Sequence, residues 1–335
     1  MDLSEKLGIK HPIIQAPMAG VTTPEFVAAA SEAGALGSIG AGYLTADDTR
    51  DFIRNVKKKT SQPFAVNLFV PEQIEYSEET IQEALAALQT IGQELGMSKW
   101  NAPISKSEFY EQVQVVIEEA VKVCSFTFGL PDERTVLRLK ENNVFLIGTA
   151  TTKEEAELAE EIGMDAVVIQ GSEAGGHRGS FLGELKLIAL DELIKEVLLS
   201  VRIPVIAAGA IANKKRKESL LSLGAEAIQV GTILIAADES GAHVMYKDAV
   251  ISAEEGCTEF TNAISGKTAR GIGNRLMDEL KGKSIAPYPY QNDLTKAVRK
   301  AAQENGNPQY MSLWAGENVH LSRRGTVKEI LKALF

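Results

Sequence analysis

Apolar residues fall along this chain in two alternating rhythms. Short runs of Val, Ile, Leu and Ala read as buried strands, and stretches with apolar positions three and four apart read as helices. Strands are expected at 12–16, 36–40, 64–68, 121–126, 144–149, 166–170, 205–208 and 227–230. Helices are expected at 23–33, opened by Thr23-Pro24 and stopped by Gly34, and at 47–59, 131–141, 153–162, 188–199 and 214–223. Strands that alternate with helices of this length pair in parallel, and eight such units close into a (β/α)8 TIM barrel. An open doubly wound sheet is the rival, and periodicity alone does not exclude it.

Two segments leave this beat. Residues 71–115 are polar and helix-prone (Glu78, Glu79, Gln82, Glu83) and read as a helical insertion after the third strand. It fits a lid over a barrel mouth and a solvated decoration equally well. The tail, 239–335, has no strand rhythm and ends in an amphipathic helix at 326–334. The expected organisation is a barrel over 1–238 with a C-terminal helical extension over 239–335 packed against it.

Composition adds limits. Of 335 residues, 44% are hydrophobic and 24% charged, the balance of a globular protein with a full core. Asp and Glu outnumber Lys and Arg by 45 to 35, giving a net charge of −10, which repels nucleic acid and anionic membranes. A small anion held by backbone N–H groups is still compatible. Cys124 and Cys257 form neither a disulfide framework nor a zinc spacing, so a reducing cytoplasm is the expected location and no metal is expected. Residues 1–12 lack the apolar run of a signal peptide, and the longest apolar stretch, 227–237, is too short to cross a bilayer.

In such a barrel the active site lies at the C-terminal ends of the strands, and a phosphate commonly sits on the loops after strands seven and eight. Those loops are Ala208-Gly209-Ala210 and Gln229-Val230-Gly231-Thr232, both with glycine just past a strand. Glycine there lets backbone N–H groups approach an anion, although glycines also simply end strands. The loop after strand six is the richest: Gln170-Gly171-Ser172-Glu173-Ala174-Gly175-Gly176-His177-Arg178-Gly179. Gln170 offers a donor and an acceptor to a heteroaromatic ring edge. His177 brings an imidazole suited to moving protons near neutral pH; the plainer reading is a structural histidine. Met18 and Asn67, at the ends of strands one and three, are further candidates for ring packing and hydrogen bonding. Gly266-Lys267-Thr268 is no P-loop, because Thr261 stands where the earlier glycine is required.

Taken together, Gln15-Ala16-Pro17-Met18, Val66-Asn67, Phe126-Thr127-Phe128-Gly129, Glu173 to Gly179 and Ser312-Leu313-Trp314-Ala315-Gly316 resemble the nitronate monooxygenase family. The resemblance implies FMN held non-covalently by Met18, Asn67, Gln170, Gly175, Gly209, Gln229, Val230, Gly231 and Thr232, with His177 as the catalytic histidine. It also implies oxidation of alkyl nitronates, propionate 3-nitronate among them, by O2 to a carbonyl compound and nitrite. The chain departs from the family at Ala210, where a second glycine is usual, and at Glu317, which adds a carboxylate where Gln is usual. An FMN- and NAD(P)H-dependent enoyl-acyl carrier protein reductase is the alternative, and a non-catalytic flavin-binding protein the second. The expected partners are a small nitronate and O2, with a homodimer left open.

Overall fold

A computed structural model of the chain describes residues 2–72, 76–97 and 106–335. Its centre is a parallel sheet of eight strands: β1 (Ile13–Gln15), β2 (Gly37–Gly40), β3 (Phe64–Phe69), β4 (Val123–Thr127), β5 (Phe145–Ala150), β6 (Ala166–Gln170), β8 (Val205–Ala208) and β9 (Ala227–Val230). Each pairs in parallel with its neighbours, and β1 also pairs with β9. A single parallel bridge, Ile14 to Leu36, closes the ring between β1 and β2. The architecture is therefore the expected barrel and not an open sheet.

The period-two alternation of the strands divides two layers of core. Residues such as Val66, Cys124, Leu146, Val167, Ile169, Val205 and Ile228 face the surrounding helices. Ala65, Val123, Ile147, Ala166, Val168, Ile206 and Ala227 fill the barrel, and Leu3 and Leu7 of the short helix Leu3–Leu7 plug its N-terminal end. Continuing along the same inward parity, the C-terminal ends carry Asn67, Ser125, Thr127, Thr149, Gln170 and Gln229. The interior is apolar at the bottom and polar at the top, and that polar layer floors the site.

Four elements were not legible in the pattern. The helix between β3 and β4, Phe109–Glu118, lies partly within the segment expected as an insertion; it buries Phe109, Val113 and Val116 against the barrel. The tail also contains strands. β10 (Thr258–Thr261) and β11 (Ala269–Ile272) form an antiparallel pair, and β11 pairs in turn with a two-residue strand, β7 (Gly176–His177). Thr-Glu-Phe-Thr is short and partly exposed and Ala-Arg-Gly-Ile is short and buried, so neither shows an alternation from which a strand could be read. The insertion helix Glu78–Glu94 shares a second core with the tail, its Ala84, Leu88 and Ile91 clustering with Leu294 and Val298 of helix Tyr290–Glu304. Among the described residues, no helix is long and apolar enough to cross a membrane.

Candidate active site

A cavity with about 1380 Å³ of empty space, counting its mouth, opens over the polar end of the barrel. Met18, Asn67, Gln170, Gly175, His177, Gly209, Gln229, Val230, Gly231 and Thr232 all line it, so the residues singled out from sequence converge on one space. Among the described residues, no Asp, Glu, Lys or Arg is part of this lining.

The loop from Gln170 to Gly179 is held by its own polar groups. The Gln170 amide donates to the His177 carbonyl (2.9 Å) and accepts from the Gly179 N–H (2.9 Å). One N–H and one lone pair of that amide are left over, so it has half the capacity its position in the sequence suggests. Arg178 is almost wholly buried, and its guanidinium donates to the carbonyls of Gln170 and Gly171. Two carboxylates balance this cation. Glu155, fully buried, accepts from Thr151 and from the N–H groups of Phe181 and Leu182. Glu173 caps the helix Leu190–Leu198 by accepting from the Leu190 N–H (3.0 Å).

Gly175 is required for packing. A Cβ there would lie 2.4 Å from the nitrogen of Gly316, so the tail segment after Trp314 could not close on the loop. The amide of Asn67 is also largely occupied, donating to Ser125 (3.0 Å) and Thr127 (3.1 Å) and keeping its carbonyl oxygen as an acceptor. Glu317, the extra carboxylate, turns outward to pair with Arg270 at 2.9 Å. Arg270 in turn donates to the Ser172 carbonyl and lies over Phe260.

The two loops after β8 and β9 differ from this self-satisfied arrangement. Among the described residues, the backbone N–H groups of Gly209, Ala210, Gly231 and Thr232 meet no protein acceptor. The Gly316 N–H donates to the Thr232 hydroxyl (3.0 Å), which leaves that hydroxyl's proton free to donate elsewhere. Unpaired backbone donors are costly when water cannot reach them, and together these make a cradle for an anion. Gly209 and Ala210 both have positive φ, 141° and 45°. The second value places an alanine in the left-handed region where the family usually has glycine.

His177 is fixed by a residue that sequence inspection passed over. Its Nε2 lies 2.8 Å from the hydroxyl of Ser265, whose proton is directed to the Lys267 carbonyl (3.0 Å). With that proton on the Lys267 carbonyl, the hydroxyl accepts from Nε2–H, which is the tautomer that leaves Nδ1 bare. Burial, then the charges of Arg299 and Lys267, push the imidazole down to about 3, so it is neutral at physiological pH. Aromatic rings surround it. Trp314 lies 5.2 Å away, Phe128 meets it edge-on at 5.6 Å, and Tyr288 lies at 6.4 Å. Ser265, Lys267 and Tyr288 all belong to the tail, far from any barrel signal. The only hint in sequence was the Gly266-Lys267-Thr268 turn.

The whole chain, residues 1–335, matches the family model described as nitronate monooxygenase. A probable nitronate monooxygenase of Staphylococcus aureus is 42% identical over 99% of this chain and 96% of its own length. Among solved structures, nitroalkane oxidase from Streptomyces ansochromogenes is 35% identical with a TM-score of 0.93, covering 99% of this chain and 96% of that one. FabK from Thermotoga maritima is 30% identical with a TM-score of 0.77, covering 99% and 94%. With the barrel, the cavity and the histidine loop in place over that full length, the chain belongs to the nitronate monooxygenase family of oxidoreductases.

Proposed function

We propose that this chain binds FMN and oxidises alkyl nitronates with O2 to a carbonyl compound and nitrite. The observation that carries the reading is the meeting, in one cavity, of backbone donors that have no protein acceptor among the described residues with a buried histidine held against Ser265. The donor set fits the cofactor. A phosphate would take the N–H groups of Gly209, Ala210, Gly231 and Thr232, which have no protein acceptor among the described residues. The flavin ring would take the residual polar capacity of Asn67, Gln170 and Gln229, with Met18 packing on its face. Bound flavin supplies the electron acceptor and the centre at which O2 reacts.

The protein's own part is proton handling and charge. With Nε2–H committed to Ser265, His177 has no N–H left for the nitro oxygens of a substrate. Its bare Nδ1 is instead an acceptor, able to take the α-proton of a neutral nitroalkane. A preformed nitronate needs no such step. Replacing His177 with Gln should therefore lower turnover of nitroethane more than turnover of ethyl nitronate.

Anaerobic mixing of the purified protein with propionate 3-nitronate, or with NADH or NADPH, tests the reading through flavin absorbance. Bleaching by the nitronate supports it. Bleaching by a reduced nicotinamide alone would transfer the chain to the enoyl reductase alternative. A protein that takes up no FMN would remove both.

A further inference from the structure

The loop after β2 brings Tyr43 to the cavity lining. Gly42 makes the approach possible: a Cβ there would stand 2.3 Å from the ring of Phe69, which Tyr43 meets edge-on at 5.3 Å. Phe69 meets Phe128 at 4.6 Å, and Phe128 meets both Tyr288 (5.3 Å) and His177 (5.6 Å). One aromatic wall thus joins Tyr43 to the histidine. The hydroxyls of Tyr43 and Tyr288 are hydrogen-bonded to each other, and the Tyr288 ring lies 6.4 Å from that of His177.

Two hydroxyls that share one bond have one proton left over. The charge of Arg299 acts on Tyr43 more strongly than the carboxylate of Asp293 opposes it, whereas Tyr288 faces the carboxylates of Asp293 and Glu72. Electron density is therefore favoured on the Tyr43 oxygen, so Tyr288 donates, Tyr43 accepts, and Tyr43 keeps its own O–H to give. Burial of the hydroxyl end pushes the Tyr43 phenol up to about 12, so it holds that proton at physiological pH, although part of the ring is open at the mouth. Neighbouring donors are already spent. Nε2–H of His177 points to Ser265, and Tyr246, the other phenol of the lining, donates to the Trp314 carbonyl. The ammonium of Lys267 pairs with Glu72 at 2.6 Å and is not part of the lining.

We infer that Tyr43 is a second catalytic residue, whose spare O–H donates to a nitro oxygen of the substrate. The inference rests on the proposed nitroalkane and nitronate chemistry and assigns the group that meets its charge. When Nδ1 of His177 takes the α-proton, the electron pair of the broken C–H bond forms a C=N bond and the negative charge settles on the nitro oxygens. No charged side chain among the described residues lines the cavity to meet it. A hydrogen bond to an oxygen that is gaining charge strengthens toward the transition state and lowers that barrier. A preformed nitronate carries the charge from the start and loses it on oxidation, so for this substrate the same bond only helps binding.

The test measures kcat and KM on nitroethane and ethyl nitronate for the wild type, Tyr43→Phe and Tyr288→Phe. Phenylalanine keeps the ring against Phe69 and removes only the hydroxyl. Tyr43→Phe should lower kcat for nitroethane about 10- to 100-fold, the worth of one hydrogen bond to a charged group. For ethyl nitronate it should raise KM and leave kcat unchanged or higher. Tyr288→Phe should cost less, because Tyr43 retains its proton and loses only the bond that orients it. Equal losses of kcat on both substrates in Tyr43→Phe, changes under two-fold on both, or a larger loss in Tyr288→Phe would overturn the assignment. Nitrate, a planar anion with the same O–N–O edge, separates this from the parent reading. If the wild type oxidises neither substrate, the oxidation reading falls, and Tyr43 is judged by calorimetry. Nitrate should then bind Tyr43→Phe about tenfold more weakly than the wild type; equal affinity, or no binding to the wild type, refutes the role.

Discussion

Replacing Ser265 with Ala isolates the contact that fixes the tautomer of His177. One hydroxyl serves three bonds: from Nε2 of His177 at 2.8 Å, to the Lys267 carbonyl at 3.0 Å and from the Lys267 N–H at 3.3 Å. Ser265 is 1% exposed, so water does not readily replace it. A buried polar group left without its partner costs about 1–3 kcal/mol. The loss should fall at that level and not at three times it, because the imidazole can turn. For a chain of this size that is a fall of a few degrees, roughly 1–2 °C per kcal/mol, in the thermal midpoint. The functional loss should be larger for the step that uses Nδ1. Without Ser265 the proton is free to move to Nδ1, and the ring is no longer held in place, so kcat/KM for nitroethane should fall about 10- to 100-fold. Ethyl nitronate, which has no α-proton to give up, should lose much less. Steady-state kinetics on both substrates and ¹⁵N imidazole shifts read the two effects separately, and Ser265→Thr should recover part of the loss. A Ser265→Ala enzyme within two-fold of the wild type on nitroethane, with unchanged imidazole shifts, would refute the fixed-tautomer argument.

Three further outcomes follow from the same geometry. Arg178→Met should cost about 1–3 kcal/mol and loosen the histidine loop, because the buried carbonyls of Gln170 and Gly171 lose the guanidinium that donates to them; chemical denaturation measures it, and a loss under about 0.5 kcal/mol would contradict the account. Ala210→Gly should stabilise by up to about 1 kcal/mol, since a left-handed alanine costs about 1–2 kcal/mol and glycine returns part of the gain through the unfolded chain; a lower thermal midpoint would count against it. His177 is pushed down from its ordinary 6.5 to about 3, so between those values the unfolded chain binds the proton and the folded one does not. Its contribution to stability is complete above pH 6.5 and is lost as pH falls toward 3, so His177→Gln should flatten that part of the thermal-midpoint profile. Activity should likewise show no His177 limb near pH 6.5.

What was legible in the chain was whatever local chemistry writes into consecutive residues. The barrel strands stood out because a buried parallel strand needs a continuous apolar run, and the glycines of 209 and 231 stood out because they follow such runs. Residues such as Asn67, Gln170 and Gln229 were visible as polar ends on apolar strands. The partners of His177 were not visible, because they reach the site through tertiary pairing alone. β7 is a strand only because Ala269 and Arg270 pair with His177 and Gly176, and Ser265 reaches the imidazole from 88 residues away. The same pairing gives one of the glycines a second role. Gly175 lines the cavity, and the space its missing Cβ leaves is also where Gly316 of the tail packs. The barrel thus supplies the floor and the anion-binding loops, while the tail supplies the groups that set the protonation of His177 and the charge beside it. Divergence among relatives in substrate choice should therefore be concentrated in the tail and the start of the insertion, around Ser265, Lys267, Tyr288 and Glu72, and not in the barrel strands. Exchanging the 262–268 turn between two family members of different substrate preference would test this division of labour: the preference should move with the turn, and a preference that stayed with the barrel would refute it.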